Sequence, residues 1–358
     1  MRGARRWRTC MPGPPRAQSL ARLHRVPGAP VHLSPPTEIG MEAKYQERLS
    51  SIERIQEGFA ELDYICSRPI ATAIYVSCHL GKPLLVEGPA GVGKTELANA
   101  TSEYLGVPMI RMQCYEGLDE SKALYEWKYA KQLLYTQILK DKIGDVLSDA
   151  HGLAESMEQL HRFSDIFFSE QFLEPRPLLK ALTAEEGAVL LIDEIDKSDH
   201  EFEAFLLEIL SEFQISIPEI GTVKAKKRPF VFLTSNNTRE MSDALKRRCL
   251  HLFVPFPDAK LEQRIIKARV PAIPDSLKVQ LVDFVQQVRE MDLKKQPSVS
   301  ETIDWARVLL LLHATSLDAD VVRETLNVFL KFEEDIQAVD QQLYEFTRRA
   351  QKADARVA

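Results

Sequence analysis

Residues 84–95 read Leu-Leu-Val-Glu-Gly-Pro-Ala-Gly-Val-Gly-Lys-Thr. The apolar run Leu84 to Val86 predicts a short buried strand. It leads into Gly88-x-x-x-x-Gly93-Lys94-Thr95, which matches the phosphate-binding P-loop at every fixed position. Gly88, Gly91 and Gly93 let backbone N–H groups turn inward around phosphate oxygens, where a Cβ would obstruct. Lys94 can reach the β- and γ-phosphates as a point charge, and Thr95 offers a hydroxyl to Mg²⁺. The candidate nucleotide-binding segment is the whole loop, with Pro89, Ala90 and Val92, together with Glu96. Glu96 to Leu105 predicts a helix stopped by Gly106. Its N-terminus adds partial positive charge beneath the phosphates. A chance Gly-rich turn is the alternative; the strand before, the helix after and Thr95 argue against it.

The next decisive stretch is Ala188-Val-Leu-Leu-Ile-Asp193-Glu194, an apolar strand ending in two acids. This is the Walker B pattern, about 100 residues beyond the P-loop. Asp193 would hold Mg²⁺ through its waters, and Glu194 would polarise the water that attacks the γ-phosphate. A third buried strand, Pro229 to Asn236, ends in Thr-Ser-Asn, and Asn236 can reach the same water. Leu245-Lys-Arg-Arg-Cys249 then places Arg247 and Arg248 in sequence, either as a surface salt bridge or as a guanidinium for a neighbour's γ-phosphate.

The rest of the chain fits around these motifs. The 358 residues are 45% hydrophobic and 27% charged, an ordinary composition for two globular domains. No apolar run approaches the ~18 residues of a membrane span. The formal charge is −6, yet residues 1–40 hold seven Arg and one acid, leaving −12 on the remainder. That acidic body argues against gripping nucleic acid by bulk electrostatics. Five scattered cysteines, with no C-x-x-C pair, suit reduced structural thiols in a cytoplasmic protein. Residues 1–40 are Arg- and Pro-rich without apolar periodicity, which predicts a disordered tail or a start placed ahead of Met41.

Residues 42–80 read as helical, with Pro69 opening a second segment and Gly81 closing it. Val107 to Cys114 predicts a second buried strand, and much of 115–180 reads as helix. Ser198-x-x-Glu201 predicts a capping box at the start of a helix that buries Phe202, Leu206 and Phe213. A hairpin is expected over 214–225, followed by a basic run of Lys224, Lys226, Lys227 and Arg228, read as a solvated loop or a nucleic-acid contact. Beyond Pro257 the chain reads as helices: 261–270, 277–291, 303–314 and one long segment from about Asp318. In that last segment Phe329, Phe332, Ile336, Val339, Leu343 and Phe346 form a narrow apolar seam, for packing at home or against a partner.

P-loop, Asp-Glu strand end, Asn strand end, Arg-Arg and helical domain occur in an order that resembles the AAA+ ATPases. Glu-Gly-Leu-Asp (116–119), Leu-Tyr-Glu-Trp (124–127), Lys-Gln-Leu-Leu-Tyr (131–135) and Ser-Glu-Thr-Ile-Asp-Trp-Ala-Arg (300–307) are similar to MoxR-type ATPases, and within them to the CoxD-like branch. The resemblance covers about residues 45–315. It implies a three-layer α/β P-loop core with a parallel sheet over 41–257, and an all-α lid over 258–358. Lys94 and Thr95 correspond to Walker A, Asp193 and Glu194 to Walker B, and Asn236 to sensor 1. Arg248 corresponds to the arginine finger, with Arg247 as the alternative because Cys249 replaces the usual aromatic. Where relatives carry the second-sensor Arg, this chain has Glu301-Thr302, and Arg307 is the nearby candidate. The resemblance also implies ATP and Mg²⁺ as cofactors and a homo-oligomer, a hexameric ring. It implies a partner with a von Willebrand factor A domain and a metalloenzyme client such as a molybdenum hydroxylase. The expectation is a chaperone-like ATPase that remodels a protein client; the rival is a nucleic-acid motor or loader on the same fold. The want of a Gly after Asp193 at a switch-like spacing and of an Asn-Lys-x-Asp to read guanine argues against a GTPase.

Overall fold

Leu84 and Val86 pack into one apolar cluster while Leu85 packs into another, as the two-residue alternation of a strand requires. A strand apolar on both faces needs cover on both. β1 (Leu84–Glu87) accordingly lies inside a five-stranded sheet, ordered β2 (Met109–Gln113), β5 (Val189–Asp193), β8 (Phe230–Ser235), β1, β9 (Leu250–Phe253). Every pairing in it is parallel. The computed structural model describes residues 43–146, 169–218 and 220–354; the expectations for residues 1–40 lie outside these. Residues 39–358 form one unit.

On the Leu84 face lie α1 (Ala43–Arg48), α2 (Ile52–Glu61), α3 (Arg68–Leu80) and α4 (Lys94–Leu105). Ile55, Phe59, Ile74 and Leu97 are fully buried there. On the Leu85 face lie α5 (Glu120–Ala123), α7 (Pro177–Thr183), α8 (His200–Glu212) and α9 (Asp243–Arg248). α6 (Tyr129–Val146) follows the short strand β3 (Tyr125–Trp127). The result is the three-layer P-loop fold the motifs imply. Pro69 and left-handed Gly81 bound α3 as read, and Gly106 stops α4.

Several expectations need correction. Val107 to Cys114 is not a buried strand. Among the described residues β2 is an edge, paired only with β5, and of its five residues only Met112 is buried. Among the described residues of 115–180, helices take up much of the segment as expected, and the short strand β3 pairs antiparallel with β4 (Leu173–Pro175). The Ser198 capping box does not form. Ser198 Oγ donates to Ile195 O and closes the 3-10 turn Ile195–Lys197, so Asp199 becomes the cap, accepting from Phe202 N at 2.8 Å. The hairpin of β6 (Gln214–Ile217) and β7 (Gly221–Lys224) lies where the sequence places it.

After Pro257 come α10 (Ala259–Arg269), α11 (Asp275–Arg289), α12 (Val299–Leu311), α13 (Ala319–Phe329) and α14 (Glu333–Asp354). The expected long final helix is thus two, broken at Leu330–Phe332. Phe329, Val339, Leu343 and Phe346 are buried in the same cluster as Trp305 and Phe284, while Phe332 is 42% exposed. The seam therefore packs on its own helices. Each fully buried side chain of this size contributes roughly 1.5–3 kcal/mol to holding the helical layer together. Trp305 Nε1 donates to Thr325 Oγ1 at 2.9 Å, so its polar atom is satisfied as well.

One buried ion pair orders the approach to α12. Arg289 meets Glu262 with two bonds of 2.7 Å and donates to Pro297 O at 2.7 Å. The two side chains are 6% and 0% exposed. Such a pair is tolerable because its donors and acceptors are satisfied. Immediately after it, Ser298 and Glu301 form a reciprocal capping box, worth about 1 kcal/mol. Cys66, Cys78, Cys114 and Cys249 are free thiols; burial pushes Cys66, Cys114 and Cys249 up to about 12. Among the described residues no helix is long and apolar enough to cross a membrane.

Candidate functional site

In a parallel sheet the strands end on one side, and ligands collect there. β1, β5 and β8 end at Glu87, Asp193 and Ser235, so Gly88, Glu194 and Asn236 emerge along one edge. The P-loop fills the turn between β1 and α4. Gly88 has φ +155, and a Cβ there would lie 2.1 Å from Val254 O. At Gly91 (φ +72) a Cβ would lie 2.4 Å from the Ser298 side chain. Only glycine allows the loop to run this close to β9's exit and to the first turn of α12.

Lys94 is 7% exposed. Its ammonium donates to Gly88 O and Pro89 O at 2.7 Å each and to Asn236 Oδ1 at 2.8 Å. Burial lowers its pKa, against the opposing pull of Asp196, Asp193 and Glu194. Thr95 Oγ1 lies 3.3 and 3.5 Å from the two Asp193 oxygens. Thr234 donates its hydroxyl to Asp193 Oδ1. These are hard oxygen donors, the set that suits Mg²⁺ beside phosphate.

Glu194 occupies the left-handed region at φ 55, ψ 50, at a cost of roughly 1–2 kcal/mol for a residue with a Cβ. The turn lifts its carboxylate off the strand axis. Oε1 accepts from Asn236 Nδ2 at 3.3 Å; Oε2 accepts from Gln113 Nε2 at 2.7 Å and from Lys197. Lys94–Asn236–Glu194 and Thr95–Asp193 therefore form two hydrogen-bonded sets from the P-loop and the ends of β5 and β8, joined through Thr234, whose hydroxyl donates to Asp193 and accepts from Glu194 N.

A cleft of about 340 Å³ opens beside these residues. Gly91, Val92 and Gly93 line it on the loop side, Tyr64, Ile65 and Ile70 below, and Leu261, Ile265, Ile303 and Arg307 on the helical side. Glu96 also lines the cleft, but its carboxylate is paired with Arg269 of α10. Pro89 takes part through its carbonyl, and Ala90 makes no side-chain bond. Arg307 pairs with Asp304 at 3.1 Å at the cleft wall. Arg248 lies apart from the Lys94 group: exposed, at the end of α9, with Nε donating to Ser211 Oγ at 2.7 Å. Arg247 beside it is also exposed.

Residues 83–249 match the family pattern described as the AAA domain of the dynein-related subfamily. This segment is similar to AAA domains. That subfamily contains the MoxR-type ATPases. The AAA domain implies nucleotide hydrolysis, and AAA+ ATPases bind ATP, usually with Mg²⁺, and commonly assemble as rings. The chain is 29% identical over 237 residues to uncharacterised proteins of Staphylococcus aureus strains bovine RF122 / ET3-1 and NCTC 8325 / PS 47, covering 64% of this chain and 76% of each relative. Among solved structures it is similar to the Thermotoga maritima RuvB Holliday junction branch migration motor. That likeness is 18% identity over 78% of this chain and 71% of the other, with a TM-score of 0.40, too low to bear on function.

Sequence reading missed Arg111 and Gln113 on β2, and Arg269 on α10. The first two carry a signal in retrospect: two polar residues spaced by two in a strand share a face. Arg269 offers none, because its partner Glu96 is 173 positions away. The basic run holds less free charge than its sequence implies. Lys226 pairs with Glu185, Lys227 lies 4.0 Å from Glu186, and Arg228 lies over the Phe213 ring.

Proposed function

We propose that the chain is a Mg²⁺-dependent, ring-forming ATPase that remodels a protein client. The observation that carries this reading is the cluster of Lys94, Asn236 and Glu194 with Thr95 and Asp193, joined through Thr234 beside the P-loop cleft. In it, Lys94 and the loop N–H groups bind the phosphates, and Thr95 and Asp193 hold Mg²⁺. The bound ion supplies charge neutralisation at the phosphate oxygens. Glu194 takes up the proton of the attacking water, with Asn236 orienting that water. Residues 41–257 act as the nucleotide-binding core, 258–358 as a lid. Arg248, exposed on a surface away from its own P-loop, serves the neighbouring subunit as the finger.

The finer reading follows the MoxR-type wording of the sequence. The client is a metalloenzyme, a molybdenum hydroxylase in the CoxD-like case, engaged with a von Willebrand factor A domain protein. The paired Lys226 and Lys227 weaken the support for a nucleic-acid role. The test is to isolate Glu194→Gln from native cells with ATP and Mg²⁺ and identify what co-purifies by mass spectrometry. A von Willebrand-type protein or a metalloenzyme subunit is expected. Nucleic acid retained through high salt would overturn the reading.

A further inference from the structure

β2 pairs with β5 in a register that sets Gln113 opposite Asp193 and Arg111 opposite Leu191. Arg111 and Gln113 share a face, so both side chains reach the strand end where Asp193 stands. Arg111 Nη2 meets Asp193 Oδ2 at 2.5 Å and Gln113 Oε1 at 3.0 Å. The other Asp193 oxygen, Oδ1, is taken by the Thr234 hydroxyl on the buried side. The Asp193 side chain is 6% exposed and that of Arg111 51%. The guanidinium thus covers the open flank of a buried carboxylate.

A divalent cation held by Thr95 and Asp193 needs that same carboxylate. Two cations cannot lie against one oxygen without strong repulsion, which the low-dielectric surroundings of a buried acid amplify. The geometry points to Arg111 as a positioning residue that competes with the divalent cation for Asp193. This rests on the proposed reading of Asp193 as the metal carboxylate. Arg111 neutralises Asp193 until the metal arrives with nucleotide, then releases it. Its long stem and half-exposed head allow that release at little cost in packing. Such a residue discourages binding of metal alone and favours metal that arrives already neutralised by phosphate.

The experiment titrates Mg²⁺ against the full chain at a fixed concentration of a fluorescent ATP analogue. Mn²⁺ binding by electron paramagnetic resonance gives a direct reading of the cation alone. Arg111→Ala and the longer neutral Arg111→Met, which keeps more of the packing on β2, are compared with Arg111→Lys. The two neutral variants are expected to lower the half-saturating Mg²⁺ about 3- to 10-fold, the range for a partly buried charged pair. They are also expected to bind Mn²⁺ alone more tightly. Arg111→Lys, which keeps the charge, stays near the unaltered protein. Neutral variants that need the same Mg²⁺ or more would overturn the competition and leave the metal reading of Asp193 intact. Nucleotide binding indifferent to Mg²⁺ in the unaltered protein would remove that reading and the competition together.

Discussion

Lys94 Nζ donates to Asn236 Oδ1 at 2.8 Å across 142 positions of sequence, and the amide of the same Asn236 faces Glu194. One side chain therefore bridges the amine proposed to bind phosphate and the carboxylate proposed to activate water. Asn236→Ala keeps the P-loop intact and removes the bridge. Nucleotide affinity is expected to change only a few-fold, while turnover falls by about 10²-fold, the scale for one lost positioning donor. Equilibrium binding and phosphate release, measured on the same preparation, separate the two effects.

Lys94→Ala acts earlier. It removes the buried ammonium that ties Gly88 and Pro89 to Asn236. Binding of a fluorescent ATP analogue should be lost at concentrations that saturate the unaltered protein. Retained affinity would contradict the phosphate role of the loop.

Arg248→Ala should leave binding unchanged and lower hydrolysis by about 10³–10⁵-fold, the range for a lost arginine finger. The hydrogen bond from Arg248 to Ser211 is exposed, so the fold should not suffer. Mixing this variant with Lys94→Ala should restore partial activity, since each supplies what the other lacks. Normal turnover at high protein concentration would move the assignment to Arg247.

The network under α9 sets a pH dependence. Burial opposes ionisation of Glu203, but hydrogen bonds from Ser242 and the Arg239 guanidinium outweigh it and hold its pKa below 4.5. A depressed folded pKa contributes stability that is complete above the unfolded value and fades as pH falls through the folded one. Glu203→Gln should therefore cost about 2 kcal/mol near neutral pH. The difference from the unaltered protein should shrink steadily below about pH 4.5. Urea unfolding at several pH values reads this directly.

The parts of the fold legible in sequence were those set by local chemistry. The P-loop glycines, the Asp-Glu end of β5, the Thr-Ser-Asn end of β8 and the hairpin of β6 and β7 each carry their own signal. What was hidden depends on partners far away in the chain. Ser198 has the right spacing for a capping box, but the turn out of β5 claims its hydroxyl. Val107 to Cys114 is apolar enough for a buried strand, and only the order of the sheet makes it an edge. The break at Leu330–Phe332 carries no proline or glycine to announce it. In the candidate site Lys94, Thr95, Asp193, Glu194 and Asn236 were all readable, while Arg111 and Gln113 were not, because their meaning lies across the pairing of β2 with β5.

The central claim is that Glu194 activates water for hydrolysis of a nucleotide held by the P-loop. The direct measurement is phosphate release by the purified full chain with ATP and Mg²⁺, beside Glu194→Gln, with binding of an ATP analogue followed in parallel. The expected result is Mg²⁺-dependent release by the unaltered protein and a fall of about 10²–10⁴-fold in the variant, with binding retained in both. Equal release from the two proteins, or none from the unaltered protein while it binds ATP, would contradict the account.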